Sequence, residues 1–233
     1  AYIADGPGGL LIADLTPLWD GDQESKPAII GAWNTDGNAR SLDYANGLIY
    51  LADGNRGVKI IDVSNPTRPT QIGSVRTEYA VNITVQNNVV FLADGDGGFR
   101  IYTTDPENPT LLASVDTANT RGVDVKDGIA YVVGSTGLSI IDVSTPAEPQ
   151  VMGFYRTGYA EEVAVEGRLA FVAEGFNGLT IIDVIDPTSP YIVSRSENKY
   201  TVGVAVAGKY AFLVDTTGLK IVEVIIPAWA IRK

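Results

Sequence analysis

One short motif recurs six times along the chain, and no other feature limits the fold so tightly. Leu51-Ala-Asp-Gly-Asn-Arg-Gly-Val-Lys-Ile-Ile-Asp-Val63 is echoed by Val133-Gly-Ser-Thr-Gly-Leu-Ser-Ile-Ile-Asp-Val143 and by Val172-Ala-Glu-Gly-Phe-Asn-Gly-Leu-Thr-Ile-Ile-Asp-Val184. The glycine that opens each apolar run falls at Gly9, Gly57, Gly98, Gly137, Gly178 and Gly218, spaced by 48, 41, 39, 41 and 40 residues. Prolines keep step at Pro17, Pro66, Pro106, Pro146, Pro187 and Pro227. Four units add a second proline three residues on, at Pro69, Pro109, Pro149 and Pro190, whereas in the first unit that partner is Pro27. The longer first interval is therefore an insertion near Leu18–Ser25. A repeat of about 40 residues is the signature of an array in which each unit buries its faces against its neighbours.

Each unit holds short apolar runs, such as Val163–Val165, Leu169–Ala173, Leu179–Val184 and Tyr191–Ser194. They are rich in Val, Ile, Tyr and Phe and are separated by Gly, Asn, Asp or Pro, which is strand punctuation without a helical period. Four strands per unit predict an all-β fold, a β-propeller of four-stranded blades. With strands named A (innermost) to D, the chain opens on strand B at Tyr2–Ala4, and four full units start near Arg40, Asn82, Gly122 and Glu162. It closes on A, B and C at Val202–Val206, Tyr210–Val214 and Leu219–Val224. This predicts twenty-two strands in about six blades, the first and last incomplete, with Trp229–Ile231 as a candidate twenty-third. The expectation is a single propeller domain over 1–233, with units near 1–47, 48–88, 89–128, 129–168, 169–208 and 209–233. The open blade edges offer a surface for self-association.

The recurrent Gly-Leu-x-Ile-Ile-Asp-Val-Ser-x-Pro-x-x-Pro, at Gly57 to Pro69 and Gly137 to Pro149, resembles the LVIVD repeat. The resemblance implies a β-propeller of the kind carried by secreted and cell-surface proteins of bacteria and archaea. It brings no catalytic residues with it. The third unit departs, with Phe99-Arg-Ile-Tyr-Thr-Thr104 where the aspartate is due, and the sixth has Glu223 there.

Composition narrows the chemistry. The 233 residues contain no Cys and no His, which removes disulfides, thiol chemistry, Ser-His-Asp triads and histidine metal sites. Seventeen Lys and Arg stand against 28 Asp and Glu, a formal charge of −11, so nucleic acid is an unfavourable partner. No run approaches the ~20 apolar residues of a membrane span. The opening Ala1-Tyr2-Ile3-Ala4-Asp5 is not a signal sequence, and the expectation is an exported protein, extracellular or at the cell surface, cut from a longer chain.

The recurring aspartates Asp14, Asp62, Asp142 and Asp183 are expected to accept backbone N–H bonds in the turn that leaves strand C. Asp5-Gly, Asp53-Gly, Asp94-Gly, Glu174-Gly and Asp215-Thr read as hairpin turns in which glycine supplies positive φ and the carboxylate bonds its own backbone. Asp94 and Asp96 could share a calcium ion but lack the other ligands of a calcium loop. Asn82-Ile-Thr84 fits a glycan acceptor but falls on an inner strand. Tyr44, Tyr50, Tyr102, Tyr131, Tyr155, Tyr210, Phe91, Phe171 and Phe212 are expected in the core, and Leu18-Trp19 at an interaction tip.

A structural motif repeats, whereas a binding site needs a varied set. The residues that open the A strands do vary: Asn38, Arg40, Tyr79, Asn82, Asn119, Arg121, Tyr159, Glu161, Glu162, Tyr200 and Thr201. In a propeller they ring the mouth of the central channel. Arg40, Tyr79, Asn82, Arg121, Tyr159, Glu161, Glu162 and Tyr200 are the candidate ligand-binding set, with no catalytic and no metal residue among them. The arginines and glutamates suit a polar ligand, and the tyrosines suit a sugar or a protein partner. Glu161 and Glu162 are adjacent on a strand and point to opposite faces, so they cannot form the facing carboxylate pair of a glycosidase. The expected function is a non-catalytic extracellular binding or adhesion module for a protein or polysaccharide. The alternatives are a subunit that assembles through open blade edges and an enzyme using rim carboxylates.

Overall fold

The computed structural model describes residues 1–19, 26–196 and 200–225. Among them are twenty-two β-strands and one 3-10 turn, Thr16–Trp19, at the start of the insertion. The first sheet holds β1 (Tyr2–Ala4), β2 (Leu10–Asp14) and β3 (Ala28–Trp33). The second holds β4 (Ser41–Ala45), β5 (Leu48–Ala52), β6 (Val58–Asp62) and β7 (Thr70–Val75). The third holds β8 (Asn82–Gln86), β9 (Val89–Ala93), β10 (Phe99–Thr103) and β11 (Leu111–Val115). The fourth is β12 (Thr120–Lys126), β13 (Ile129–Gly134), β14 (Leu138–Asp142) and β15 (Gln150–Tyr155). The fifth is β16 (Glu162–Glu166), β17 (Leu169–Ala173), β18 (Leu179–Asp183) and β19 (Tyr191–Ser196). The sixth is β20 (Thr201–Ala207), β21 (Tyr210–Asp215) and β22 (Gly218–Glu223). Every sheet is an antiparallel meander in chain order, and the fold is a six-bladed β-propeller. The first and sixth blades have three strands among the described residues, as expected. Trp229–Ile231, Pro227 and the insertion beyond Trp19 lie outside those residues.

The chain forms two compact units, 1–112 and 113–233, with the boundary inside β11. In the first, β5 is buried on both faces. Ile49 and Leu51 pack on Leu10 and Ile12 of the first blade, while Tyr50 and Ala52 pack with Ile83 and Leu92 of the third. In the second, Leu138 and Ile140 meet Val163 and Val172, and Leu179 and Ile181 meet Val204 and Leu213. This sandwiching explains why the strands are apolar throughout, and each fully buried Leu or Ile contributes roughly 1.5–3 kcal/mol. Tyr50, Tyr102, Tyr131, Phe91 and Phe171 join this core. Tyr155 and Phe212 are half-buried. Tyr44 and Tyr210, expected inside, are exposed: Tyr44 stacks on Tyr2, and Tyr210 lies under Lys209.

The repeated prolines have a packing role. A β-bulge shifts the C–D register in the first, second, fourth and fifth blades, after Ile12, Ile60, Ile140 and Ile181. Beside it, Gly31, Gly73 and Gly153 lie against the backbone of Pro66, Pro106 and Pro187 in the next blade. A side chain at these glycines would overlap the proline carbonyl oxygen. The C-strand aspartates behave as expected. Asp62 and Asp142 accept the N–H of Ser64 and Ser144 at 2.8 Å, and Asp14 and Asp183 do the same for Thr16 and Ile185.

Candidate functional site

The B–C turns and the D-to-A connections meet blade by blade. Gly6 bridges Ala39, Gly54 bridges Ala80 and Gly175 bridges Thr201. A carboxylate at the end of strand B holds three of the incoming loops. Asp94 accepts the N–H groups of Glu78 and Tyr79 at 3.0 and 2.9 Å and pairs with Arg100 Nε at 3.0 Å. Glu174 accepts the Gly158 N–H at 2.9 Å and the Asn177 amide at 3.4 Å, with Arg195 Nη2 3.4 Å from its other oxygen. Asp53 takes the Thr35 hydroxyl at 2.7 Å, and burial pushes its carboxyl above the usual value, partly offset by that bond. The turns are hairpins with positive-φ glycines as expected, but these side chains bond the incoming loop rather than their own backbone, and Glu174 also takes the Asn177 side chain of its own turn. Asp215 does bond its own turn, at the Thr217 N–H and hydroxyl, and pairs with Lys220. The Lys220 ammonium and the Thr217 groups hold its carboxyl far below the usual range.

On this support the structure arranges the candidate residues in two groups. In the first unit Arg40 lies over the Tyr79 ring, 5.5 Å from its centroid, and its Nη1 is 3.3 Å from the phenol oxygen. In the second unit Arg121 lies over Tyr159 at 5.0 Å, and its Nε pairs with Glu161 Oε2 at 2.6 Å. Tyr200 donates to Glu161 Oε1 at 3.0 Å. That hydrogen bond, together with the carboxylate charge, raises the phenol above its ordinary value. Arg121, Tyr159, Glu161 and Tyr200 thus form one linked cluster. Glu162 stands half-buried at the head of β16. Asn82 opens β8, its amide 3.4 Å from the Ser41 hydroxyl. Asp94 is committed to Arg100 and two backbone amides, and among the described residues no group of acidic side chains is placed to hold a metal ion.

The structure adds a residue that the sequence reading did not single out. Phe176, at the tip of the fifth blade's B–C turn, is 87% exposed, and its ring meets Tyr200 edge to face at 4.6 Å and 68°. Tyr159, Glu174, Gly175, Phe176, Asn177 and Tyr200 line a pocket of about 370 Å³. Three aromatic rings and the buried Glu174 are among its lining. The signal was available in the repeat, because Pro7, Asn55 and Asp96 occupy the equivalent turn position and none is aromatic.

Solved structures resemble the chain at low identity, which speaks to the fold alone. A periplasmic gluconolactonase of Pseudomonas aeruginosa matches with a TM-score of 0.78 at 11% identity, over 94% of this chain and 76% of that one. A chain of a nidogen/laminin complex matches with a TM-score of 0.68 at 13% identity, over 96% and 88%. A computationally designed protein, Ika8, matches with a TM-score of 0.66 at 7% identity, and the match spans 84% of this chain but 62% of the designed one. No curated protein matches the sequence. The family model for the LVIVD repeat matches residues 1–35, 36–77, 118–157, 157–197 and 199–225, passing over the third repeat. With its repeats covering well over half the sequence and each falling on a propeller blade, the chain belongs to the LVIVD-repeat family.

Proposed function

We propose that this chain is a non-catalytic recognition module, exported to the cell surface or beyond, that binds a polysaccharide at the B–C turns of its second unit. The observation that carries this reading is Phe176. An almost fully exposed aromatic ring breaks the repeat beside a pocket already walled by Tyr159 and Tyr200. Exposing a phenylalanine costs solubility, and aromatic rings on a rigid turn offer sugars a flat apolar face at little entropic cost. The pocket volume lies within the range of small-ligand sites. The test is affinity electrophoresis against a panel of purified polysaccharides. At least one polymer should retard the wild type, and Phe176→Ala should weaken that binding about tenfold while leaving the thermal midpoint unchanged. Retardation by no polymer, or retardation indifferent to Phe176→Ala, overturns the reading.

A second reading, assembly through an open blade, is favoured by β22. Leu219 and Ile221 are 64% and 61% exposed, whereas Leu179 and Ile181, at the same positions of the fifth blade, are buried. Light scattering across a concentration series distinguishes the two readings, and a strict monomer at high concentration removes this one.

A further inference from the structure

A pairing rule runs through the loops that enter the blades. In three instances, each inside one compact unit, the residue just after the bridge position on one blade meets the residue just before the bridge position on the next. In two instances this places an arginine on a tyrosine: Arg40 over Tyr79, and Arg121 over Tyr159. The third instance has Glu161 where the arginine stands, and Tyr200 as the ring. The carboxylate cannot cap a π-face, so it takes the phenol proton instead, and among the described residues no guanidinium or ammonium lies over Tyr200. The same substitution places a carboxylate at the edge of the ring, one oxygen on the Tyr200 phenol and the other shared with Arg121 Nε at 2.6 Å. Hydrogen bonding to a carboxylate also makes the Tyr200 ring richer in electrons. Phe176 stands edge to face against it, 4.6 Å between centroids, and Tyr159 closes the pocket on the Arg121 side.

We infer that this aromatic corner is a seat for an ammonium group, and specifically for the protonated amine of an amino sugar in a polysaccharide. The inference rests on the polysaccharide reading above and names the group recognised. The ammonium takes the place over Tyr200 that arginine takes over Tyr79 and Tyr159, with the Glu161 carboxylate beside it. The sugar ring stacks on Phe176, and the Asn177 side chain lies at the pocket wall within reach of its hydroxyls. Cation–π attraction to an electron-rich, partly desolvated ring is the physical source of selectivity. The chain's charge of −11 gives a cationic polymer a long-range attraction to the protein, without specifying where it binds.

The test uses glucosamine oligomers and their N-acetylated counterparts, titrated calorimetrically against the whole chain, with tetramethylammonium as the isolated cation. The expected result is binding of the free-amine oligomer at least tenfold tighter than the acetylated one, with competition by tetramethylammonium. Phe176→Ala and Tyr200→Leu should each remove that preference. Neither variant changes net charge, so non-specific attraction of a cationic oligomer to an acidic protein would survive them, and survival overturns the inference. Equal affinity for the amine and acetylated oligomers, lost in Phe176→Ala, leaves the polysaccharide reading standing and refutes the ammonium seat. Binding of no oligomer here and of no polymer in the electrophoresis panel refutes both.

Discussion

Alanine at Gly153 should force the fourth and fifth blades apart. The added Cβ would sit 3.1 Å from the Pro187 carbonyl carbon and 3.3 Å from Thr188 Cα, and closer still to the Pro187 oxygen. Contact with the carbonyl is on backbone, so no side-chain rotation relieves it. Either β15 or the Pro187 turn must shift, and forcing extra volume into a packed contact costs about 1–3 kcal/mol. The backbone of Gly153 is not in the left-handed region. Alanine therefore gains the usual ~0.4–1 kcal/mol from a less mobile unfolded chain, and the net loss is about 1–2 kcal/mol. For a chain of this size that lowers the midpoint by roughly 3–8 °C. Gly203→Ala is the control, since its Cβ would meet Val214 at 3.4 Å, an ordinary contact, and should leave the midpoint within about a degree or raise it slightly. Differential scanning calorimetry of the two variants beside the wild type reads the difference. If Gly153→Ala melts with or above the wild type, the glycine-to-proline contact does not join these blades, and the role assigned to the repeated prolines is wrong.

Two equivalent buried carboxylates should respond in opposite directions to the same change. Asp94→Asn removes a charge that satisfies Arg100 and two amides and should cost about 1–3 kcal/mol in urea unfolding at pH 7. Asp53 has a buried Oδ2 without a hydrogen-bond partner, and its raised pKa means that its favourable contribution is full below 3.8 and is lost as pH rises through the folded value. Asp53→Asn should accordingly be neutral or stabilising at pH 7, with any gain vanishing below pH 3.8. The turn aspartates carry the reverse sign. The Ser64 N–H and hydroxyl hold Asp62 below its usual value, and the Ser144 hydroxyl and N–H hold Asp142 there, so their contribution is present above 3.8 and fades as pH falls through the folded values. Acid titration of Asp142→Asn should show a midpoint below the wild type at pH 7 and a gap that narrows as pH falls below 3.8, and a gap that widens on acidification would refute this assignment.

The blades were legible because each strand is short, apolar on both faces and bounded by turn residues that recur in register. Nothing in such a strand competes with the pattern, so even the incomplete first and sixth blades fell where the repeat placed them. Contacts between units were harder to read. The glycine that touches the next proline is present at Gly31, Gly73 and Gly153 but is Ala113 and Ser194 in other units, so it did not stand out as a packing device. The carboxylates ending strand B were recognised as turn residues, but local sequence could not show that their partners lie 15 to 18 residues upstream, as for Asp94 with Tyr79 and Asp53 with Thr35. Tyr159, Glu161 and Tyr200 were legible as variable positions. Their linkage through Arg121 depends on spacings of 38 to 40 residues that only the blade geometry converts into contact.

The division of labour within a unit explains where a binding function can arise. Stability resides in strands B and C, in the bulge beside the glycine, and in the carboxylate that fastens the incoming loop. With the loop fastened from below, as Glu174 fastens Gly158, the residues above it bear little of the fold's energy. Pro7, Asn55, Asp96 and Phe176 can therefore differ freely at one turn position, and Arg40, Arg121 and Glu161 at one loop position. Two such changes suffice to convert the fifth blade. Glutamate in place of arginine leaves the Tyr200 ring without the arginine cap seen on Tyr79 and Tyr159, and phenylalanine in place of a small or polar residue walls the space beside it. Neither change alone makes a site: Glu161 without Phe176 leaves an open ring in water, and Phe176 without Glu161 would stand beside a ring already capped by arginine. Their joint occurrence in one blade is the reason to place recognition there rather than at the Arg40–Tyr79 pair, where the cation already occupies the ring.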